Sequence, residues 1–292
     1  MGSGKNCMKE FFFKLLSIIR PTRYWIGPLP SNYLDLKLEK KLNHNRSYFG
    51  TGMYTDKKGK KFIVKFWSGN HPDACYYLLQ REIKFLSDIN KISKNSKEVL
   101  FPVFVRSDIT HHGLTLVTQH FKGHPNGSYI KAHNFLQRLP VNLSIPSKSR
   151  WYFIILFPII WVISALRHWY HLPLFIQSFF TFWANSPSLI NRDKAVFVHG
   201  DLHPDNLLTD GKRIMILDVG QSMYTYPEFE IASTLACYTI DSKLRNKLLS
   251  FSNTPVFKTI GIFCAAYNLT RPTSSVHTQV LFDLLKVCLK PY

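Results

Sequence analysis

From Leu36 to Trp67 apolar and polar positions alternate in short runs, the pattern of strands with one buried face. Ser47-Tyr48-Phe49-Gly50-Thr51-Gly52-Met53-Tyr54-Thr55 reads as two strands joined by a glycine turn, and Lys57-Lys58-Gly59-Lys60 as a polar hairpin leading into Lys61-Phe62-Ile63-Val64-Lys65-Phe66-Trp67. At Cys75–Leu86 the spacing becomes helical and gathers Leu78, Leu79, Glu82, Ile83 and Leu86 close to one face. Val99–Val105 and Gly113–Gln119 return to the strand pattern. This part of the chain therefore predicts a small sheet with one helix.

Beyond it the pattern turns helical and strongly apolar. About sixteen residues between Arg150 and Arg167 carry no charge. As a helix they reach about 24 Å, against about 30 Å of bilayer hydrocarbon, and Pro158 sits in the middle, so a span is not the expectation. A second apolar run, Leu172 to Trp183, follows at once. One of the two fits a buried helix of a large lobe. Together, rich in Trp and Phe, they also fit a one-sided contact with an anionic membrane. Leu244–Phe251, Val256–Leu269 and Val276–Leu289 read as core helices. At the start, Phe11–Arg20 lacks the cleavage site of a signal peptide; its basic flanks suit an interfacial helix, or a helix packed on the small lobe.

Two charged residues within these patterns need partners. Lys65 stands on a strand beside Ile63 and Val64, where burial is costly unless it meets a carboxylate or a phosphate; on an edge strand it would face water. Glu82 points inward with the core residues of its helix, or lies at the edge of an ordinary amphipathic stripe.

The densest chemistry lies in Val198-His199-Gly200-Asp201-Leu202-His203-Pro204-Asp205-Asn206-Leu207-Leu208 and in Ile216-Leu217-Asp218-Val219-Gly220. Pro204 prevents a regular helix between Asp201 and Asn206, so both side chains sit on a loop. Thr209-Asp210-Gly211-Lys212 is a hairpin turn, which returns Asp218 toward Asn206. A carboxylate and an amide oxygen are hard ligands suited to Mg²⁺, and a second carboxylate free of metal can accept the proton of an attacking hydroxyl.

His199-Gly200-Asp201-Leu202-His203-Pro204-Asp205-Asn206 resembles the catalytic loop of the aminoglycoside phosphotransferase and choline kinase group, within the protein-kinase-like fold. Protein kinases usually have His-Arg-Asp where this chain has His-Gly-Asp, which favours a small-molecule kinase. Asp218-Val219-Gly220 is similar to the metal-binding Asp-Phe-Gly signature, with Val for Phe. The resemblance implies an α+β fold of two lobes: a small antiparallel sheet with one helix over 35–121, and a mostly helical lobe over 122–292, after an extension to residue 34. It implies ATP and Mg²⁺ as cofactors, Asp201 as the base, and Asn206 and Asp218 as metal ligands. It makes Glu82 the helix partner of Lys65 at the α- and β-phosphates. Gly50 and Gly52 would cover the nucleotide phosphates, though a plain hairpin turn looks the same. Gln119 and Phe121, with His120-Phe121-Lys122-Gly123-His124-Pro125, fall where the linker backbone would hold the adenine. His203 would orient the loop, and Glu230-Ile231-Ala232 would brace it, or Glu230 would be an exposed helix-start acid.

Composition narrows the choice of partner. The chain has 292 residues, 46% hydrophobic and 15% aromatic, which excludes a disordered protein. Its formal net charge of +19 points to an anionic partner (a nucleotide, a phosphorylated substrate, an anionic lipid surface or a nucleic acid) or is simply the solvated basic surface of a small enzyme. No nucleic-acid motif accompanies it. The five cysteines are scattered and have no metal-ligand spacing, as in a reduced cytoplasmic protein. His111, His112, His120 and His124 read as polar loop residues. The expectation is a cytoplasmic kinase acting on a hydroxyl of a small molecule. Its rivals are a kinase of lipopolysaccharide-core or lipid-linked sugars at the inner membrane face, and a pseudokinase that only binds.

Overall fold

The computed structural model describes residues 28–42, 49–69, 73–92, 98–109, 113–139, 147–148, 150–189, 195–237, 240–271 and 273–290. The Phe11–Arg20 segment, His111 and His112 lie outside the described residues. In chain order the first elements are β1 (Asn32–Tyr33), β2 (Leu36–Lys41), β3 (Gly50–Thr55), β4 (Lys61–Ser68), α1 (Ala74–Ile92), β5 (Val99–Leu100), β6 (Phe104–Ile109) and β7 (Gly113–Gln119). Then come α2 (Tyr129–Leu136), α3 (Arg150–Arg167), α4 (Leu172–Asn185), β8 (Val196–Val198), β9 (Leu207–Thr209), β10 (Ile214–Ile216) and β11 (Met223–Thr225). The last helices are α5 (Pro227–Leu235), α6 (Ser242–Leu249), α7 (Pro255–Leu269) and α8 (Ser275–Leu289). Among the described residues the chain forms two compact units: 28–128 with Leu207–Gln221, and the remainder.

The first unit is built on a six-stranded sheet, order β1-β2-β3-β4-β7-β6, whose neighbours all pair antiparallel. Alternation along β4 explains its placement. Phe62, Val64 and Phe66 turn to one side and join Leu29, Leu36, Tyr54 and Val117 in a core, which puts Ile63 and Lys65 on the opposite side. Because β4 is paired on both edges, with Thr51 and Leu116 opposite Lys65, the edge-strand reading of Lys65 does not hold. The β3–β4 turn follows its sequence: Asp56 accepts from the Lys58 and Lys60 amides, and Gly59 supplies a φ of 78°. Asp73 starts α1 by accepting from the Tyr76 amide, and also from Trp67 Nε1.

Two expectations change here. Gly50 and Gly52 lie inside the continuous strand β3 rather than in a turn. A Cβ at Gly52 would sit 2.9 Å from Leu38 Cδ1 and 2.9 Å from Tyr54, so close packing accounts for that glycine. The run Val99–Val105 is split around Pro102: β5 pairs parallel with β10, while β6 joins the large sheet.

The second unit is mostly helical. Antiparallel β8 and β11 form its small ribbon, Met223 opposite Val198. Its centre is α7, buried from Val256 to Ala266 and again at Leu269, with α3, α4, α5 and α8 packed around it. An antiparallel sheet with one helix, and a helical remainder, is the α+β architecture the sequence implies.

Candidate active site

The first unit assembles a charge cluster. Lys65 Nζ donates to Glu82 Oε1 at 2.8 Å and Oε2 at 3.0 Å, and also to Asp218 Oδ1. Glu82 is 4% exposed, so it is anchored on the inner side of α1 as its spacing predicts. Burial works against the Lys65 charge, but the Asp218 and Glu82 carboxylates outweigh it and hold the ammonium above its ordinary pKa. Burial pushes Glu82 upward against the pull of Lys65.

Asp218 is placed by two backbone features. The hairpin β9–β10 has Ile216 opposite Leu207, with Gly211 at a φ of 90° in its turn; Asp210 accepts there from the Lys212 and Arg213 amides. Asp218 itself adopts a left-handed backbone at φ 54°, sparsely populated for a residue other than glycine. Two residues later the chain passes over α1. A Cβ on Gly220 would lie 2.6 Å from the Leu78 carbonyl oxygen, one turn of α1 before Glu82. Only glycine allows this approach, and it ties Asp218 to the helix that carries Glu82.

Gln119 ends β7, opposite Phe62, with its amide donating to Val103 O at 3.0 Å. Phe121 lies under the Arg213 guanidinium, 5.5 Å from its ring centroid. His120, partly buried, has its pKa lowered, and His124 Nδ1 meets Pro125 O at 3.1 Å. No group of three or more His, Cys, Asp or Glu fit for a metal occurs among the described residues.

In the second unit the loop 199–206 is held by its backbone. The buried Glu230 carboxylate accepts from the His199 amide at 2.5 Å and the Gly200 amide at 3.2 Å. Gly200 has a φ of 81°, a left-handed conformation that suits glycine and lets consecutive amides face one carboxylate. Ser233 Oγ donates to Gly200 O at 2.9 Å, and Thr234 Oγ1 to Leu202 O at 2.7 Å. The Asp201 amide meets His199 Nδ1 at 3.3 Å, and Asn206 Nδ2 donates to Asp201 O at 2.9 Å. With its NH₂ so engaged, Asn206 has its amide oxygen to offer an ion. His203 Nδ1 is 3.7 Å from Asp205 Oδ2, and its carbonyl accepts from the Asn206 amide.

Residues 164–251, which include this loop and Asp218, match the model of the phosphotransferase enzyme family. Among solved structures the chain is similar to a putative fructosamine-3-kinase from Haemophilus somnus: 12% identity, 87% of this chain and 92% of that one covered, TM-score 0.56. It is also similar to a spectinomycin phosphotransferase in complex with ADP and spectinomycin: 11% identity, 96% and 97% covered, TM-score 0.51. A type VIII aminoglycoside-3'-phosphotransferase aligns at 15% identity over 89% and 96%, TM-score 0.50. These likenesses show the kinase-like fold that the catalytic-loop resemblance implies, and the family match over residues 164–251 supports a phosphotransferase. Among curated proteins no sequence matches.

The sequence pairs Lys65 with Glu82, and the structure joins them and adds Asp218, which the sequence places only with Asn206. It points to Asp201 and Asn206 on one loop, and they hydrogen-bond there. It leaves out Gly220, Ser233 and Thr234. The Asp218-Val219-Gly220 signature was a signal for Gly220; Ser233 and Thr234 carried none.

Proposed function

We propose that the protein is an ATP-dependent phosphotransferase, moving the γ-phosphate to a hydroxyl of a small molecule. The observation that carries this reading is Lys65, on a central strand, bonded to both Glu82 and Asp218. A lysine fixed by a buried carboxylate is pre-aimed at nucleotide phosphates, and such placement lowers the cost of ordering them at reaction. Asp201 takes the proton of the attacking hydroxyl, on a loop whose backbone Glu230 clamps. The donor set fits Mg²⁺: Asp218 offers a half-exposed carboxylate and Asn206 an amide oxygen, both hard ligands. When bound, the ion neutralises charge on the transferring phosphoryl group. Gln119 and Phe121 take the adenine edge, and Gly50 with Gly52 the strand over the phosphates. A small-molecule acceptor is supported by Gly200 in place of the protein-kinase arginine and by the spectinomycin phosphotransferase, whose structure holds ADP and its small acceptor. ATP as donor implies a cytoplasmic reaction.

The test is ATP consumption against pooled hydroxylated metabolites, sugars and lipid-linked glycans. Asp201→Ala is expected to lower transfer by roughly 10²–10⁴-fold while keeping nucleotide affinity. Full activity in that variant refutes Asp201 as the base. Tight nucleotide binding with no turnover on any acceptor favours a binding-only protein instead. A second reading, an acceptor presented at a membrane, is favoured by the outward apolar faces of α3 and α4.

A further inference from the structure

Helices α3 and α4 lie side by side. Phe157 stacks on Phe182 with ring centroids 3.6 Å apart, and Trp161 Nε1 donates to Phe175 O at 2.7 Å. Both helices pack against α7 with their inner faces, so their outer faces share the side turned away from it. On α3 that side carries Trp151, Ile155, Val162 and Leu166, all exposed. On α4 it carries Leu172, Ile176 and Phe180, exposed as well. The turn between the helices adds Trp169 and Tyr170, and the result is a continuous apolar surface of a kind that marks an interaction site.

Its chemistry selects the partner. From Arg150 to Leu189 the chain has no Asp or Glu, and Arg150 and Arg167 bracket α3. Trp and Tyr at the ends of an aliphatic stripe suit the boundary between headgroups and acyl chains, where one end of the ring is apolar and the other wet. The chain's net charge of +19 suits anionic headgroups, and it opposes two copies meeting through the same face. Among described residues α3 has the length and composition to cross a membrane, and 33% of it is buried. Crossing is blocked by its inner side: Ser164 Oγ donates to Ala266 O at 2.6 Å, and Arg167 Nη1 to Thr270 O at 2.9 Å. A helix so fixed to its own unit can only lie flat.

We propose that the outer face of α3, the intervening turn and α4 docks on the surface of an anionic lipid bilayer. The purified full chain is floated with vesicles of phosphatidylcholine alone and of phosphatidylcholine mixed with phosphatidylglycerol. The protein is expected to float with the mixed vesicles and poorly with the neutral ones, and to be released partly by salt. Ile155→Glu with Phe180→Glu is expected to weaken binding about tenfold or more, while Phe251→Glu, an exposed apolar position in the turn after α6, leaves it unchanged. Leu166→Asn with Tyr170→Asn, at positions 73% and 77% exposed, repeats the test with milder changes, and thermal melting checks the fold of each variant. No flotation by the wild type overturns the proposal, and so does an equal loss in Phe251→Glu. A dimer that the double variants dissociate, without vesicle binding, assigns the face to a second copy and also overturns it. ATP turnover enters none of these readings, so docking and the phosphotransferase function fail separately.

Discussion

The two units hold their functional groups by opposite means. In the first, side-chain charges fix one another: Lys65 with Glu82 and Asp218. In the second, one buried carboxylate, Glu230, fixes a loop through its amides, and the side chains of Asp201 and Asn206 are carried along. A charge cluster fixes atoms directly but leaves a buried charge behind when one partner is lost. A backbone clamp fixes its loop through main-chain amides rather than through side-chain charges.

The largest effect is expected where the charge cluster is broken from its centre. Lys65→Met strands Glu82 in the interior, and breaking a buried pair this way costs about 3–5 kcal/mol, less whatever Glu82 recovers by taking up a proton. Adding Glu82→Leu removes the stranded charge. The double variant is therefore expected to melt higher than Lys65→Met alone, although neither transfers phosphate well. Equal melting temperatures would show that Glu82 is not held by Lys65.

A somewhat smaller loss is expected from the clamp. Glu230→Ala orphans the His199 and Gly200 amides, and unmet buried donors cost about 1–3 kcal/mol each, partly repaid by any water that enters. Unlike Lys65→Met, it should lower turnover more than nucleotide affinity, because Lys65, the residue proposed to meet the nucleotide phosphates, is untouched. A fall in affinity with unchanged turnover would contradict the division between the two units. Gly220→Ala comes third. Its methyl group meets the Leu78 carbonyl, which cannot swing aside as a side chain does, so a shift costing about 1–3 kcal/mol is expected, with weaker nucleotide binding as Asp218 moves. Denaturant midpoints and nucleotide titrations check both effects.

The sequence displays the cluster's chemistry better than its supports. Lys65 and Glu82 are readable because a strand period and a helix period each turn one charge inward. Asp201, Asn206 and Asp218 are readable from a motif, and Glu230 as its brace. Gly220 is readable only as the end of that motif, and the reason it must be glycine is not, since that arises from a carbonyl that lies far away in sequence. Gly50-x-Gly52 misleads for a related reason: glycine is demanded equally by a tight turn and by a crowded strand, and neighbours such as Leu38 decide which. The apolar runs of α3 and α7 read alike, yet α7 is enclosed while α3 is covered on one side alone. Helical periodicity shows that a residue is apolar, and only packing shows what covers it.

The smallest effect distinguishes the two devices by pH. Burial raises the Glu230 carboxyl from its ordinary 4.5 to about 7, against the pull of the His199, Gly200 and Leu202 amides and with a further push from the charge of Asp201. Between those values the folded chain keeps a proton that the unfolded chain releases. The stabilising contribution of this group is therefore complete below about 4.5, declines as pH rises toward about 7, and changes little beyond. Denaturation midpoints of the wild type should fall across that window, and Glu230→Gln, which cannot titrate, should lose that part of the slope. An identical slope in both proteins would show that the clamp is ionised throughout the window. In that case the amides outweigh burial, and Glu230 holds the loop 199–206 with a full charge, just as the carboxylates of the other unit hold Lys65.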